Sequence, residues 1–197
     1  MWYSFVGFIF HVIFKIIFRL EVIGVENIPK TGPVVIASNH ASLLDPPLVG
    51  SSSSRKVYFM AKEELFVPVF GQLCASLGAF PVKRGEVDLN AMKRALQILK
   101  NQEVLGIFPE GTRSKTGALG HAEPGALAIA NKGKALVVPT AVIGSNLSLQ
   151  KTFWPKVKVV FGEPLSFSEG RMNKVELEKN SEILMEKIRI LLENNKI

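Results

Sequence analysis

Along this chain, short β-branched apolar runs alternate with longer stretches in which apolar residues recur every three or four positions. The runs predict strands over residues 20–23, 34–38, 56–60, 79–82, 104–108, 136–141 and 156–161, several of them closed off by Gly or Pro. The periodic stretches predict helices over 88–101, with Asp88 as N-cap, and over 125–131, stopped near Gly133. From Lys174 onward, Ile183, Leu184, Ile188, Leu191 and Leu192 fall at helical spacing and read as the packed face of a closing helix. Strands and helices in alternation predict an α/β fold. It is expected as a single domain whose central, mostly buried sheet is flanked by helices, with loops at the strand ends where sites usually sit. A length of 197 residues suits one core, and the domain is placed at 21–197.

Residues 2–20 break the pattern. They carry five of the thirteen Phe residues together with Trp2 and Tyr3, and a helix would line Ser4, Gly7, His11, Lys15 and Arg19 along one narrow stripe. The uninterrupted apolar run before Lys15 falls short of the about 20 residues that a spanning helix needs. No basic region precedes it and no small-residue cleavage site follows it, unlike a signal peptide. The preferred reading is a hydrophobic, membrane-associated helix over 1–20, lying in one leaflet with its basic stripe at the lipid headgroups. A single-pass helix and a buried core helix are the alternatives. Either membrane form sets the protein at the cytoplasmic face of the cell membrane, monotopic or single-pass, with membrane lipid as a partner.

Charge sharpens the picture. Net charge is +7, and residues 111–162 hold seven Lys/Arg against one acid, Glu123. Such a surplus suits anionic lipid, phosphorylated substrates or nucleic acid, or is a solvated face with no ligand. No zinc-finger, RNP or helix-turn-helix signature accompanies it, so nucleic acid is not expected as a partner. The single Cys74 excludes an intrachain disulfide and, in an apolar stretch, reads as a buried, inert thiol. No pattern sets an oligomeric state.

Four segments carry candidate chemistry. After the 34–38 strand comes Asn39-His40-Ala41-Ser42-Leu43-Leu44-Asp45-Pro46-Pro47. Positions five apart on a helix differ by about 140°, so His40 and Asp45 meet only in a turn. Pro46 biases Asp45 away from helical geometry, which makes Asp45 a cap for a short helix opening at Pro46. A carboxylate reaching back to an imidazole fixes its tautomer and prepares a general base; a capped helix start with an incidental histidine has the same pattern. The second segment is Phe108-Pro109-Glu110-Gly111-Thr112-Arg113-Ser114, where Gly111 permits close backbone approach and Arg113 can hold a phosphate by two parallel bonds. A polar turn with a structural Arg–Glu pair is the alternative. The third, Gly78 to Gly85, ends a strand on Lys83-Arg84, and the fourth is the proline-broken strand Val137-Val138-Pro139-Thr140-Ala141.

These four segments, in this order, resemble the N-H-x-x-x-x-D, G-x-x-x-x-x-R, F-P-E-G-T-R-S and V-P-x blocks of the glycerolipid acyltransferases, most closely the bacterial 1-acyl-glycerol-3-phosphate acyltransferases. The likeness covers roughly residues 25–165 and includes Ala61-Lys62-Glu63-Glu64-Leu65 and the Gly125–Gly133 connector. Thr140 departs from it, standing where an apolar residue is common. The resemblance implies an O-acyltransferase of phospholipid biosynthesis. Its expected reaction moves a fatty acyl group from acyl-CoA or acyl carrier protein to lysophosphatidic acid, giving phosphatidic acid. Glycerol 3-phosphate or another lysophospholipid is the alternative acceptor, and a non-catalytic protein docking on anionic membrane is the alternative of another class. It implies His40 as general base, oriented by Asp45, with Lys62, Arg84, Gly111, Thr112 and Arg113 around the acceptor's phosphate and glycerol. Glu110 would anchor an arginine or contact the glycerol. The acyl chain is expected along Leu65, Phe66 and Phe70, with Pro139. No cofactor is implied and no metal, since His40 has no companion ligands at metal-binding spacing.

Overall fold

A computed structural model describes residues 2–83, 88–114, 116–147, 154–167, 170 and 172–197. Each of the seven predicted strands forms: β1 (Glu21–Ile23), β2 (Val34–Ser38), β3 (Val57–Lys62), β4 (Phe80–Val82), β5 (Val104–Ile107), β6 (Leu136–Ile143) and β7 (Lys158–Phe161). They make one sheet in the order β1-β7-β6-β2-β5-β3-β4. Neighbouring pairs are parallel except β6 and β7. All five residues of central β2 are buried, as a parallel strand covered on both faces requires. Register levels the strand ends: Ala37 pairs with both Ile107 and Pro139, and Ser38 pairs with Thr140. The chain therefore leaves β2 and β5 side by side, which sets the His40 segment against the Phe108–Ser114 segment. Thr140, polar and wholly buried, donates its hydroxyl to the Val138 carbonyl.

One face of the sheet (Val35, Leu105, Ile107, Val137) packs on α4 (Leu89–Lys100), α5 (Gly125–Lys132) and α6 (Lys174–Asn194). Asp88 caps α4 as expected, accepting from the Asn90 and Ala91 amides. Asn173 and Glu176 close a reciprocal capping box on α6. The other face (Val34, Ile36, Val104, Val138) packs on Phe14 of α1 (Trp2–Ile17) and on Leu48 and Val49 of α2 (Asp45–Ser52). A short helix that periodicity did not predict, α3 (Phe70–Ser76), follows β3.

The N-terminal helix departs from expectation in its orientation. Gly7 and His11 do not join an outward polar stripe. His11 turns toward α2, where its Nδ1 lies 3.2 Å from the Ser51 carbonyl, and Gly7 is half-buried with open space beside it. Tyr3, on the same inward side, donates to the Gly50 carbonyl (3.3 Å) and accepts from the Val57 amide (3.1 Å). Burial raises the Tyr3 phenol above its ordinary range. The outward side carries exposed Phe5, Phe8, Ile9, Val12, Ile13 and Ile16. Arg19 lies beyond the helix end and stacks over the Trp154 ring at 5.6 Å. Tyr3 and His11 turn inward to backbone partners beside the apolar Phe10 and Phe14, while Ser4 and Lys15 remain exposed. No helix among the described residues is long and apolar enough to cross a membrane.

Gly106 links this fold to the site. A Cβ there would stand 2.2 Å from the Phe59 ring, which stacks at 5.9 Å on Phe108. Gly106→Ala should cost about 1–3 kcal/mol through overpacking. It is checked by denaturant unfolding, and a midpoint equal to wild type would show that Phe59 yields freely.

Candidate active site

His40 stands just past the end of β2 and Asp45 at the start of α2. Asp45 Oδ2 lies 2.7 Å from His40 Nδ1 and also accepts the Ala41 and Ser42 amides, each at 2.8 Å. Asp45 is fully buried and His40 is 5% exposed. The predicted helix cap is corrected here: Asp45 is itself the first helical residue and makes no capping bond into α2. Pro46 and Pro47, next in line, have no N–H to cap, so the carboxylate turns back toward 40–42 instead. An acceptor at this position requires the proton on Nδ1, which leaves Nε2 as the nitrogen with a free lone pair.

The Phe108–Ser114 segment holds His40 from its other sides. Phe108 stacks on the imidazole at 3.9 Å between centroids, with the planes 17° apart. The Ser114 amide donates to the His40 carbonyl at 2.8 Å. Glu110 is bonded to backbone on both sides: Oε1 accepts the His40 amide and Oε2 the Gly120 amide, both at 2.8 Å. Asn39 pairs with β6 like a strand residue, its amide donating to the Val142 carbonyl (2.9 Å) while its oxygen accepts the Val142 amide (2.7 Å). Sequence reasoning placed Phe108 and Asn39 within their segments but gave neither a role. Each stands one residue past a strand end beside His40.

His40 also lines an apolar cavity of about 370 Å³. The cavity runs along β3 between α1, α2 and α3, bounded by Tyr3, Val6, Gly7 and Phe10 of α1, by Gly50, by Val57 and Phe59, and by Leu73 and Cys74. Of the residues expected to meet an acyl chain, Leu65 and Phe70 line it. Phe66 is half-buried and packs its backbone under Gly71. Pro139 does not line it: it is buried in β6, with β2 and β5 between it and β3, and its carbonyl accepts from the Gly162 amide. Proline lost its ladder donor there, not its place in the sheet. Cys74 is half-buried rather than sealed, and partial burial holds its thiol above the usual range.

Of the expected phosphate ligands, Arg113 and Lys62 both reach the cavity's rim, and both are exposed; Lys62 is paired with Glu64 at 2.7 Å. Gly111, with φ +67°, and Thr112 form the exposed turn beside Arg113. Arg84 lies outside the described residues. Among the described cations of 111–162, Arg113 is at the site and the others lie elsewhere. Lys156 and Lys158 pair with Glu21 at the β1 edge, and Lys132 and Lys134 flank the start of β6, at the end of the sheet away from His40. Among the described residues, no three His, Cys, Asp or Glu cluster as a metal site would need.

Comparison with known proteins agrees with this geometry. A profile of the acyltransferase family matches residues 19–143, from two residues before β1 to the last residue of β6. The 1-acyl-sn-glycerol-3-phosphate acyltransferase of Bacillus subtilis is 34% identical over 148 residues, covering 74% of this chain and 73% of that protein. A chloroplastic 1-acyl-sn-glycerol-3-phosphate acyltransferase of Arabidopsis thaliana is 35% identical over 132 residues, but the chain spans only 37% of its length. The crystal structure of the 1-acyl-sn-glycerophosphate (LPA) acyltransferase of Thermotoga maritima superposes with a TM-score of 0.77 at 28% identity, covering 96% of this chain and 79% of that one. The matched region takes in more than half of the chain, including His40, Asp45 and the whole Phe108–Ser114 segment, and the protein belongs to the acyltransferase family.

Proposed function

We propose that this protein transfers a fatty acyl group from acyl-CoA or acyl carrier protein to the free hydroxyl of lysophosphatidic acid, giving phosphatidic acid. The observation that carries the proposal is the oriented His40–Asp45 pair opening onto an apolar cavity with Arg113 and Lys62 at its rim. His40 Nε2 takes the proton of the acceptor hydroxyl, and that oxygen attacks the thioester carbonyl. The carbon–sulfur bond breaks, and the imidazolium returns its proton to the departing thiolate. Asp45 steadies the imidazolium as it forms. Arg113 and Lys62, with Arg84 and the Gly111–Thr112 turn, hold the acceptor's phosphate, and the cavity takes the acyl chain. Oxygen, proton and thiol are all accounted for without a cofactor. The names of the relatives favour lysophosphatidate over glycerol 3-phosphate as acceptor.

The test is a panel of acceptors (lysophosphatidate, glycerol 3-phosphate, lysophosphatidylcholine) assayed with one radiolabelled acyl-CoA and with acyl carrier protein. Lysophosphatidate should be acylated fastest; equal or faster labelling of either other acceptor contradicts the assignment. Arg113→Ala should raise the KM for lysophosphatidate by about ten- to a hundredfold with the donor KM little changed, as losing a charge-assisted bond worth about 1.5–3 kcal/mol implies. Arg113→Lys should recover only part of it.

The exposed apolar face of α1 continues into Leu43, Val67, Val69 and Phe70 beside the cavity. These surfaces support the reading of residues 1–20 as a helix lying in the cytoplasmic leaflet, with 21–197 as the transferase domain above it. Because Tyr3, Val6 and Phe10 also wall the cavity, deleting the helix would open the acyl site. Substituting its outer face separates the two roles. Phe5→Gln, Phe8→Gln, Val12→Gln and Ile16→Gln combined should release the protein from sedimented vesicles while activity on detergent-dispersed acceptor persists. Unchanged co-sedimentation would remove α1 as the anchor.

A further inference from the structure

We propose that Glu110 is a positioning residue for His40 and not a ligand of the acceptor. The inference rests on the reading of His40 as the base. Glu110 is the acid of the Phe108–Ser114 segment, and its charge and position in the segment suggest a substrate contact. Its geometry gives it another task. His40 lies two residues beyond the end of β2, where the ladder bonds of the sheet have stopped. A base held only by its ring would keep its side chain fixed on a drifting backbone. Three groups extend the ladder past its end. On the β6 side, the Asn39 amide makes both bonds of a strand pair with Val142. On the β5 side, the Ser114 amide takes the His40 carbonyl and Glu110 takes the His40 N–H.

Glu110 is suited to this because its neighbours aim it. Pro109 before it has no N–H to compete, and Gly111 after it adopts φ +67°, which turns the chain back and leaves the carboxylate facing β2. The two oxygens accept from separate segments, so one carboxylate joins the base to the turn at Gly120. That turn leaves little room: a Cβ at Gly120 would lie 3.0 Å from Glu110 Oε2. Bonds from N–H groups to an ionised acceptor are roughly twice as strong as neutral ones, which makes this the firmest hold on the His40 backbone. A base displaced by about 1 Å loses on the order of a hundredfold in rate.

Glu110→Ala should therefore lower kcat by roughly a hundredfold while the KM for lysophosphatidate stays within about threefold of wild type. Glu110→Gln keeps one acceptor oxygen but turns an NH₂ toward the other N–H, and should fall between the two. Amide hydrogen exchange reads the hold directly. Exchange at His40 and Gly120 should speed up at least about tenfold in both variants, with Val35 and Ile36 in β2 unchanged. If the alanine variant does not fold, the glutamine variant carries both measurements, since it preserves volume. An acceptor KM raised tenfold at unchanged kcat would make Glu110 a ligand and overturn the proposal. So would unaltered exchange at His40 and Gly120. Failure of the wild-type chain to acylate any acceptor would count against the functional reading alone, because the exchange result does not depend on turnover.

Discussion

A carboxylate stripped of water needs donors in its place, and Asp45, with no exposed surface, finds three of them on one oxygen. Two are backbone amides, so the carboxylate shapes the turn after β2 as well as the ring of His40. The same oxygen thus fixes a loop conformation and a tautomer together. Removing it would leave two amides and an imidazole without a partner in a buried place. The position works because Pro46 and Pro47 start α2 without donors, which leaves the carboxylate free to face backward.

Around this point the parallel sheet does the positioning. β2 and β5 end side by side while β6 runs three residues further, and their neighbouring segments grip His40 and its surroundings: the Asn39 amide against β6, Phe108 over the ring, Ser114 and Glu110 on the backbone. Chemistry at the carboxyl ends of adjacent parallel strands is the expected place for an α/β site, because loops converge there. The apolar cavity descends from this point along β3 and borrows a wall from α1. One helix thus walls the cavity with one side and leaves apolar residues exposed on the other.

Much of this was legible in the sequence, and the reasons differ by element. The strands were legible because buried parallel strands are short β-branched runs, and their ends differ by one or two residues, as where Phe108 follows β5 without joining its ladder. α3 escaped because residues 65–77 are apolar at nearly every position, so no helical period stands out. The place of His11 in α1 escaped for a related reason. Where almost all positions are apolar, the few polar ones mark either the solvent side, as Ser4 and Lys15 do, or the packed side, and for His11 only its partner Ser51 decides it. His40 and Asp45 stood out by spacing and gained meaning from the ordered blocks around them. Glu110 was legible as a member of its block but not in its role. A carboxylate bonded to two distant amides leaves no trace in local spacing. Pro139 misled because a break in a strand pattern looks like a site when it is only a missing donor.

The central claim is that the Asp45-held imidazole of His40 performs the transfer as a base. The most direct test is single-turnover acylation of lysophosphatidate by folded His40→Ala and Asp45→Asn proteins, with the acceptor at saturation. The account predicts no transfer above background for the first and a loss of about three orders of magnitude or more for the second, with thermal unfolding showing both to be folded. Near-normal single-turnover rates in either protein would contradict it.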